Sequence, residues 1–293
     1  MTFDRVLVPL DGSRLAEASL PVAEALARNL GSALVLFHAV EPEAPAAVHG
    51  EPHLSSAASA QAYLDVQRER YLAEGLTVDA HVVEGGESDV APVIAHAATG
   101  LQTGTIAMAA HGRRTLRGLL AGPVAQRILQ VGDAAVLMRT VGADAGTPFR
   151  LAHIVLPIDF RHDLDAAIDA TRILARGFGA SVTLLHSVYA AGSLQARLLP
   201  GASAIVRAQH REEALERLAQ LAASLRADGI ETEVVLGRQS PDSAITEAAR
   251  DGRTDLVVLV THARAGLTAW YEGSVAQQLV AERDLTLLLL RGR

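Results

Sequence analysis

No cysteine occurs in this chain, so disulfides, thiolate metal sites and cysteine nucleophiles are excluded at once. Aromatic residues are scarce, at 3%. A core built without them is aliphatic, as in parallel sheets buried beneath helices. No apolar run approaches the ~20 residues of a membrane span. The opening residues, MTFDRVLVPLDGS, lack a basic stretch followed by a long apolar one, so no signal peptide is read there. The expectation is a soluble cytoplasmic protein that neither enters a membrane nor is threaded through one. Positive charge is also in deficit. Twenty-six Lys and Arg stand against 33 Asp and Glu, a formal net charge of -7. That excludes a broad basic surface for nucleic acid, but not a local pocket for a small anion.

What is present is aliphatic and periodic. Hydrophobic residues make up 49% of 293, enough for two medium domains. The chain is also written twice. RVLVPLD at 5–11 returns as HIVLPID at 153–159, and ALVLFHAV at 33–40 as SVTLLHSV at 181–188. HVVEG at 81–85 matches EVVLG at 233–237, IAMAAHG at 106–112 matches VVLVTHA at 257–263, and AGPVAQRI matches EGSVAQQL. The separations lie between 148 and 152 residues throughout. A tandem duplication follows, with one domain over 1–142, a small and turn-rich linker over 143–150, and a second domain over 151–293.

Strands and helices alternate within each copy. In the first, strands are expected at 5–10, 33–39, 77–83, 104–110 and 134–140, with helices at 13–30, 57–74, 88–99 and 123–131. The second copy places helices near 163–178, 203–228, 241–250 and 274–283. This is the pattern of a doubly wound parallel α/β sheet. Ligands of such sheets sit outside the carboxyl ends of the strands, where the strand order reverses. In the first copy the segments 9–13, 39–41, 83–85 and 109–122 should meet there.

Three groups of residues there carry chemistry. Asp11 ends the first strand and Asp159 holds the same place in the second copy. Each carboxylate suits a ribose hydroxyl or a base amine; capping the following helix is the alternative. The stretch HGRRTLRGLLAGP is the second. Gly112 and Gly122 bracket nine residues, and Gly122 leads into a helix whose free N–H groups attract anions. Arg113 is placed to reach a phosphate; the alternative is a turn that needs glycine for its geometry alone. The repeated histidines, His38 with His186 and His111 with His262, are read as strand-end residues with a fixed hydrogen bond, because no nucleophile or acid converges on them. His49 and His53 fall in a loop over 41–56 whose prolines oppose the helical spacing a metal would need.

RVLVPLDGS, the strand ending in FHAV, and AAHG followed nine residues later by GP and a helix resemble the universal stress protein family. The resemblance spans nearly the whole chain as two copies. It implies two tandem Rossmann-like domains, each a five-stranded parallel sheet flanked by helices. It also implies self-pairing of the two halves through their last strands, 134–140 and 285–291, as an intrachain pseudo-dimer. Some members of that family bind ATP through Gly-x-x-Gly, nine residues, then Gly-Ser/Thr. Carried over by motif, the cofactor-binding candidates of the first copy are Pro9, Leu10, Asp11, Gly12, Ala39, Met108, Ala109, Gly112, Arg113, Gly122, Pro123 and Val124. Those of the second copy are Pro157, Asp159, Val260, Ala263, Arg264, Gly273, Ser274 and Val275.

Both copies depart from the motif. Pro123 stands where a hydroxyl and an N–H are wanted, though proline suits the first turn of a helix. Losing one hydrogen bond to a charged group costs roughly 1.5–3 kcal/mol, or about ten- to a hundredfold in affinity. The second copy keeps Gly273 and Ser274, but Val260 and Ala263 add bulk where two glycines are expected. The expected function is that of a stress-response protein of regulatory or binding type. Its ligand would be an adenine nucleotide such as ATP with Mg, favoured in the first copy, which keeps two of three glycines, Asp11 and the DGS turn, with the second copy as the alternative. A nucleotide-free scaffold acting through protein partners is the alternative. A slow ATPase is the least favoured, since no lysine flanks the loop and no paired carboxylates are set for a metal.

Overall fold

The computed structural model describes residues 3–42, 47–48, 51–84, 89–111, 122–141, 148–160, 162–187, 200–237, 239–262 and 285–292. Two compact units emerge. One comprises residues 1–150 with 259–293; the other is Leu151–Val258.

The first unit begins with β1 (Arg5–Pro9), α1 (Arg14–Glu17), α2 (Leu20–Leu30) and β2 (Ala33–Val40). A small hairpin, β3 (Ala47–Val48) and β4 (Glu51–Pro52), precedes α3 (Ala57–Ala73). Then come β5 (Val78–Glu84), α4 (Val90–Gly100), β6 (Thr105–His111), α5 (Gly122–Val131) and β7 (Ala135–Val141). The parallel order β7-β6-β1-β2-β5 is doubly wound, reversing direction between β1 and β6. Residues Leu34–Ala39 of β2 are buried without interruption, as a strand covered on both faces must be. Helices α2 and α3 lie on β1, β2 and β5, while α4 packs against α5.

The expected single helix over 13–30 is broken. It stops at Glu17 and restarts at Leu20, with Ser19 Oγ donating to the Ala16 carbonyl at 2.7 Å. The cause is Pro21, which has no N–H to donate to Glu17 and whose ring would strike that carbonyl. Within the stretch expected as a loop over 41–56, Ala47–Val48 and Glu51–Pro52 pair as two short antiparallel strands.

The second unit repeats the plan. It holds β8 (His153–Pro157), α6 (Asp165–Phe178), β9 (Ser181–Ser187), α7 (Pro200–Ala227), β10 (Thr232–Gly237) and α8 (Pro241–Arg250). The strand β11 (Leu256–His262) joins β8 through Leu256 and Val257. Helices α2 and α6 both end on a left-handed glycine, Gly31 (φ +73°) and Gly179 (φ +67°).

Register corrects one equivalence read from the sequence. Leu34 of β2 pairs with Val78, and its counterpart Val182 of β9 pairs with Thr232. The third strands therefore correspond at a separation of 154 residues, not 152, and Asp79 answers to Glu233. A two-residue slip leaves every side chain on its own face, so the hydrophobic pattern cannot detect it.

The last strand, β12 (Thr286–Gly292), belongs to the first unit and runs antiparallel to β7. Leu287 faces Met138, and Leu288 faces Leu137. Leu285 and Thr140 clasp the end of this pairing: the Leu285 N–H donates to Thr140 Oγ1 at 2.9 Å, and that hydroxyl donates to the Leu285 carbonyl at 2.8 Å. The two last strands of the repeats therefore meet, one residue later at each end than the sequence pattern placed them.

Candidate functional site

The crevice of the first unit is opened by its strands. β1 pairs with β2 along all five residues, but with β6 only at Val6 and Leu7. Beyond Leu7 the ladder between β1 and β6 ceases, although both strands run on. That parting is where a doubly wound sheet accepts a ligand.

The residues at this opening come from several elements. Pro9 closes β1, and the Leu10 N–H still donates to the Phe37 carbonyl at 2.8 Å. Leu10 and Ala39 are buried, while Asp11 and Gly12 are half-buried. Met108 and Ala109, half-buried, lie on β6 beside Met138 and Arg139. Gly122 and Pro123 open α5, with Val124 half-buried behind them. Gly112 and Arg113 lie outside the described residues. The strand ends and the start of α5 are thus built by one unit.

Asp11 has a local task as well. Its Oδ1 accepts the Ser13 N–H at 2.9 Å, and Ser13 Oγ accepts the Ala16 N–H at 3.1 Å. This two-step cap turns the chain from β1 into α1. Gly12, between them, has φ +86°, which side chains rarely tolerate. A Cβ there would also come within 3.0 Å of Leu54 Cγ.

Leu54 follows the hairpin, which is anchored at both ends of this turn. Glu51 accepts the Arg14 N–H at 2.6 Å and pairs with the Arg14 guanidinium at 3.3 Å. His38 Nδ1 lies 2.7 Å from the Leu10 carbonyl, and its Nε2 lies 3.0 Å from that of Leu54. His53 packs edge-on to His38 with ring centres 6.0 Å apart. Its side chain is 2% exposed, its Nε2 is 3.9 Å from Glu41 and its Nδ1 has no partner. His49 lies outside the described residues.

Burial and polarity combine beneath the turn. Tyr63 of α3 donates to Glu17 at 2.8 Å. Burial, then this bond to a carboxylate, pushes its phenol far above the ordinary value, and Asp11 adds to the effect. Tyr71, on the same helix, is raised to about 12, mainly by burial.

The second unit treats the same place differently. Pro157 closes β8 and Asp159 follows it, with His162 Nε2 at 3.6 Å from its carboxylate. Phe160 stands where the first repeat has Gly12. Its ring lies 5.4 Å from that of His186, and the Arg217 guanidinium sits 4.0 Å above it. His186 Nδ1 is 2.8 Å from the Ile158 carbonyl, the same contact that His38 makes with Leu10. Val260 lies on β11 in the stretch that belongs to the first unit. Ala263, Arg264, Gly273, Ser274 and Val275 lie outside the described residues. Sequence reasoning passed over Leu54, Glu51 and Arg217. Phe160 was passed over too, although the change from LDGS to IDFR between the repeats marks it in the sequence.

A family model for the universal stress protein family matches residues 2–138 and again 151–291. The chain belongs to the universal stress protein family. Solved structures agree on the fold of this universal stress protein. A universal stress protein from Archaeoglobus fulgidus DSM 4304 is 13% identical with a TM-score of 0.69, over 98% of this chain and 96% of that one. A protein of unknown function from Pseudomonas aeruginosa PAO1 is 18% identical with a TM-score of 0.66, over 99% and 93%. The cytoplasmic domain of a prokaryotic cation chloride cotransporter is 15% identical with a TM-score of 0.55, over 99% and 96%. At such identities the likeness is one of fold. No curated protein matches in sequence. Among the described residues, no helix is long and apolar enough to cross a membrane.

Proposed function

We propose that this protein is a regulatory stress-response protein of the cytoplasm that holds an adenine nucleotide in its first repeat without turning it over rapidly. The observation that carries this reading is the parting of β1 and β6 beyond Leu7, with Asp11, Ala39 and Met108 at the opening and Gly122 at the start of α5. Asp11 offers a carboxylate for the ribose or the base. The N-terminus of α5 offers its dipole and free N–H groups to phosphate, less the one that Pro123 lacks. ATP with Mg is the ligand the motif favours. Phe160 argues against an equal role for the second repeat, because it puts an aromatic ring beside His186 from the position where the first repeat has a glycine.

A second reading is favoured by Leu54, which lies against Gly12 at the lip of the crevice. In it both repeats are closed and the protein acts as a nucleotide-free scaffold through its loops. Calorimetric titration of the nucleotide-stripped chain with Mg-ATP separates the two. One site per chain, lost in Gly112→Val and kept in Gly273→Val, supports the first reading. The reverse pattern moves the site to the second repeat. An absence of heat at about millimolar ATP establishes the scaffold.

A further inference from the structure

The buried ring of His38 faces, at both of its nitrogens, an atom that can only accept. Nδ1 lies 2.7 Å from the Leu10 carbonyl, and Nε2 lies 3.0 Å from that of Leu54. A neutral imidazole has one N–H and one lone pair, so it serves one of these carbonyls and turns a lone pair on the other. Only the imidazolium donates to both. The two contacts join different parts of the chain. Leu10 leads from β1 into the turn, whereas Leu54 lies between β4 and α3 with its side chain against Gly12.

The second repeat manages with one proton. His186 keeps the Nδ1 contact, 2.8 Å from the Ile158 carbonyl, and its Nε2 makes no hydrogen bond among the described residues. The second acceptor, Leu54, is what sets His38 apart.

The surroundings of His38 are acidic. Asp11 and Glu17 come from the segment after β1, Glu41 follows β2, Glu51 belongs to β4, and β5 carries His81 and Glu84. Tyr63 of α3 is bonded to Glu17. The buried residues of α2 and α4, which also pack on β2, are all apolar. The guanidinium of Arg14 is engaged with Glu51 at 3.3 Å. His53, its ring centre 6.0 Å from that of His38, has an unpartnered Nδ1 and lies 3.9 Å from Glu41 through Nε2. A proton on His53 would oppose one on His38, so the pair of rings favours a single charge, held where two carbonyls receive it.

We propose that His38 is a proton-operated tie between the turn after β1 and the chain that enters α3. With two ring protons it holds Leu54 against Gly12. On losing the Nε2 proton it releases Leu54 and keeps Leu10, the contact that both repeats share. The tie is therefore complete in acid and is lost as pH rises through the range in which histidines titrate. One consequence rests on the reading of the first crevice as a nucleotide site: acid opposes the nucleotide there by holding Leu54 at the lip.

The test is NMR of the full-length, nucleotide-free protein between about pH 5.5 and about pH 8.5, following the ring nitrogens of His38 and the cross-relaxation between the Leu54 methyls and the Gly12 α-protons. Near the acid end both ring nitrogens should carry protons and the Leu54 contact should be strong. Toward the alkaline end the Nε2 proton should be lost, and the ratio of tied to released Leu54 should fall about tenfold or more, the worth of one hydrogen bond from a charged group. His186 should keep its Nδ1 proton throughout. His38→Gln should make the Leu54 contact independent of pH; should that variant lose its folded spectrum, the ring protons of the unaltered chain decide alone. His53→Phe should leave the pH dependence in place, and its loss there would assign the proton to His53 and overturn the proposal. A single ring proton on His38 at both ends of the range, or a Leu54 contact insensitive to pH, overturns it as well.

Discussion

The two repeats cover the same strand-end imidazole with different parts of the chain. In the first, Gly12 offers no side chain, and Leu54 arrives from the hairpin to lie against it. In the second, Phe160 covers His186 from the adjoining strand end and is itself covered by Arg217. After duplication, one copy came to depend on a loop and the other on a residue of its own turn. The first cover is tied to α1 through Glu51 and Arg14, and the second belongs to the turn after β8 itself.

The comparison breaks most visibly at the acids. Asp11→Ala is expected to cost about 1.5–3 kcal/mol of Mg-ATP binding, about ten- to a hundredfold, while Asp159→Ala leaves it unchanged. Calorimetry on both variants reads this directly, and equal losses would erase the asymmetry. Next comes Gly12→Ala, which forces a side chain into a left-handed turn against Leu54. It should lower the unfolding free energy by roughly 1–3 kcal/mol in urea denaturation. Placing glycine at Phe160, where no such turn is enforced, would sharpen the contrast. Phe160→Ala should cost about 1 kcal/mol through the lost stacking and cation–π contact.

How far such differences could be seen beforehand varied with their origin. The duplication and the parallel α/β plan were legible, because RVLVPLD and HIVLPID are strands of one composition at one spacing. The halt at Glu17 was not, because the apolar period runs on past Pro21 and masks the missing donor. The slip between Asp79 and Glu233 was invisible for a related reason, since a period of two repeats itself after two residues. Asp11 and Gly12 could be singled out as a turn at a strand end. Arg217 could not, for it reaches Phe160 from 57 positions away on a helix whose own pattern gives no sign of the contact.

A smaller effect separates the repeats at alkaline pH. Tyr71 is raised to about 12 and Tyr63 higher still, both on α3, whereas α7 of the second unit has no tyrosine. A neutral phenol is favoured in the folded state. Its stabilisation is therefore complete below the ordinary tyrosine value near 10 and is lost as pH rises toward about 12. The first unit should lose its amide-exchange protection before the second in this window. Tyr63→Phe should move that loss to higher pH, and simultaneous loss in both units would show that α3 does not govern it.

The clasp between β7 and β12 has a consequence for synthesis. Thr140 waits for Leu285, which the ribosome adds 145 residues later. At ordinary rates of translation that is an interval of about 7–30 seconds. Throughout it, the β7 edge of the emerging chain is unsatisfied and open to the same edge of a neighbouring nascent chain on the polysome. A chain truncated before β12 would keep that edge for life, and would be expected to find its partner in a sister molecule instead of in itself.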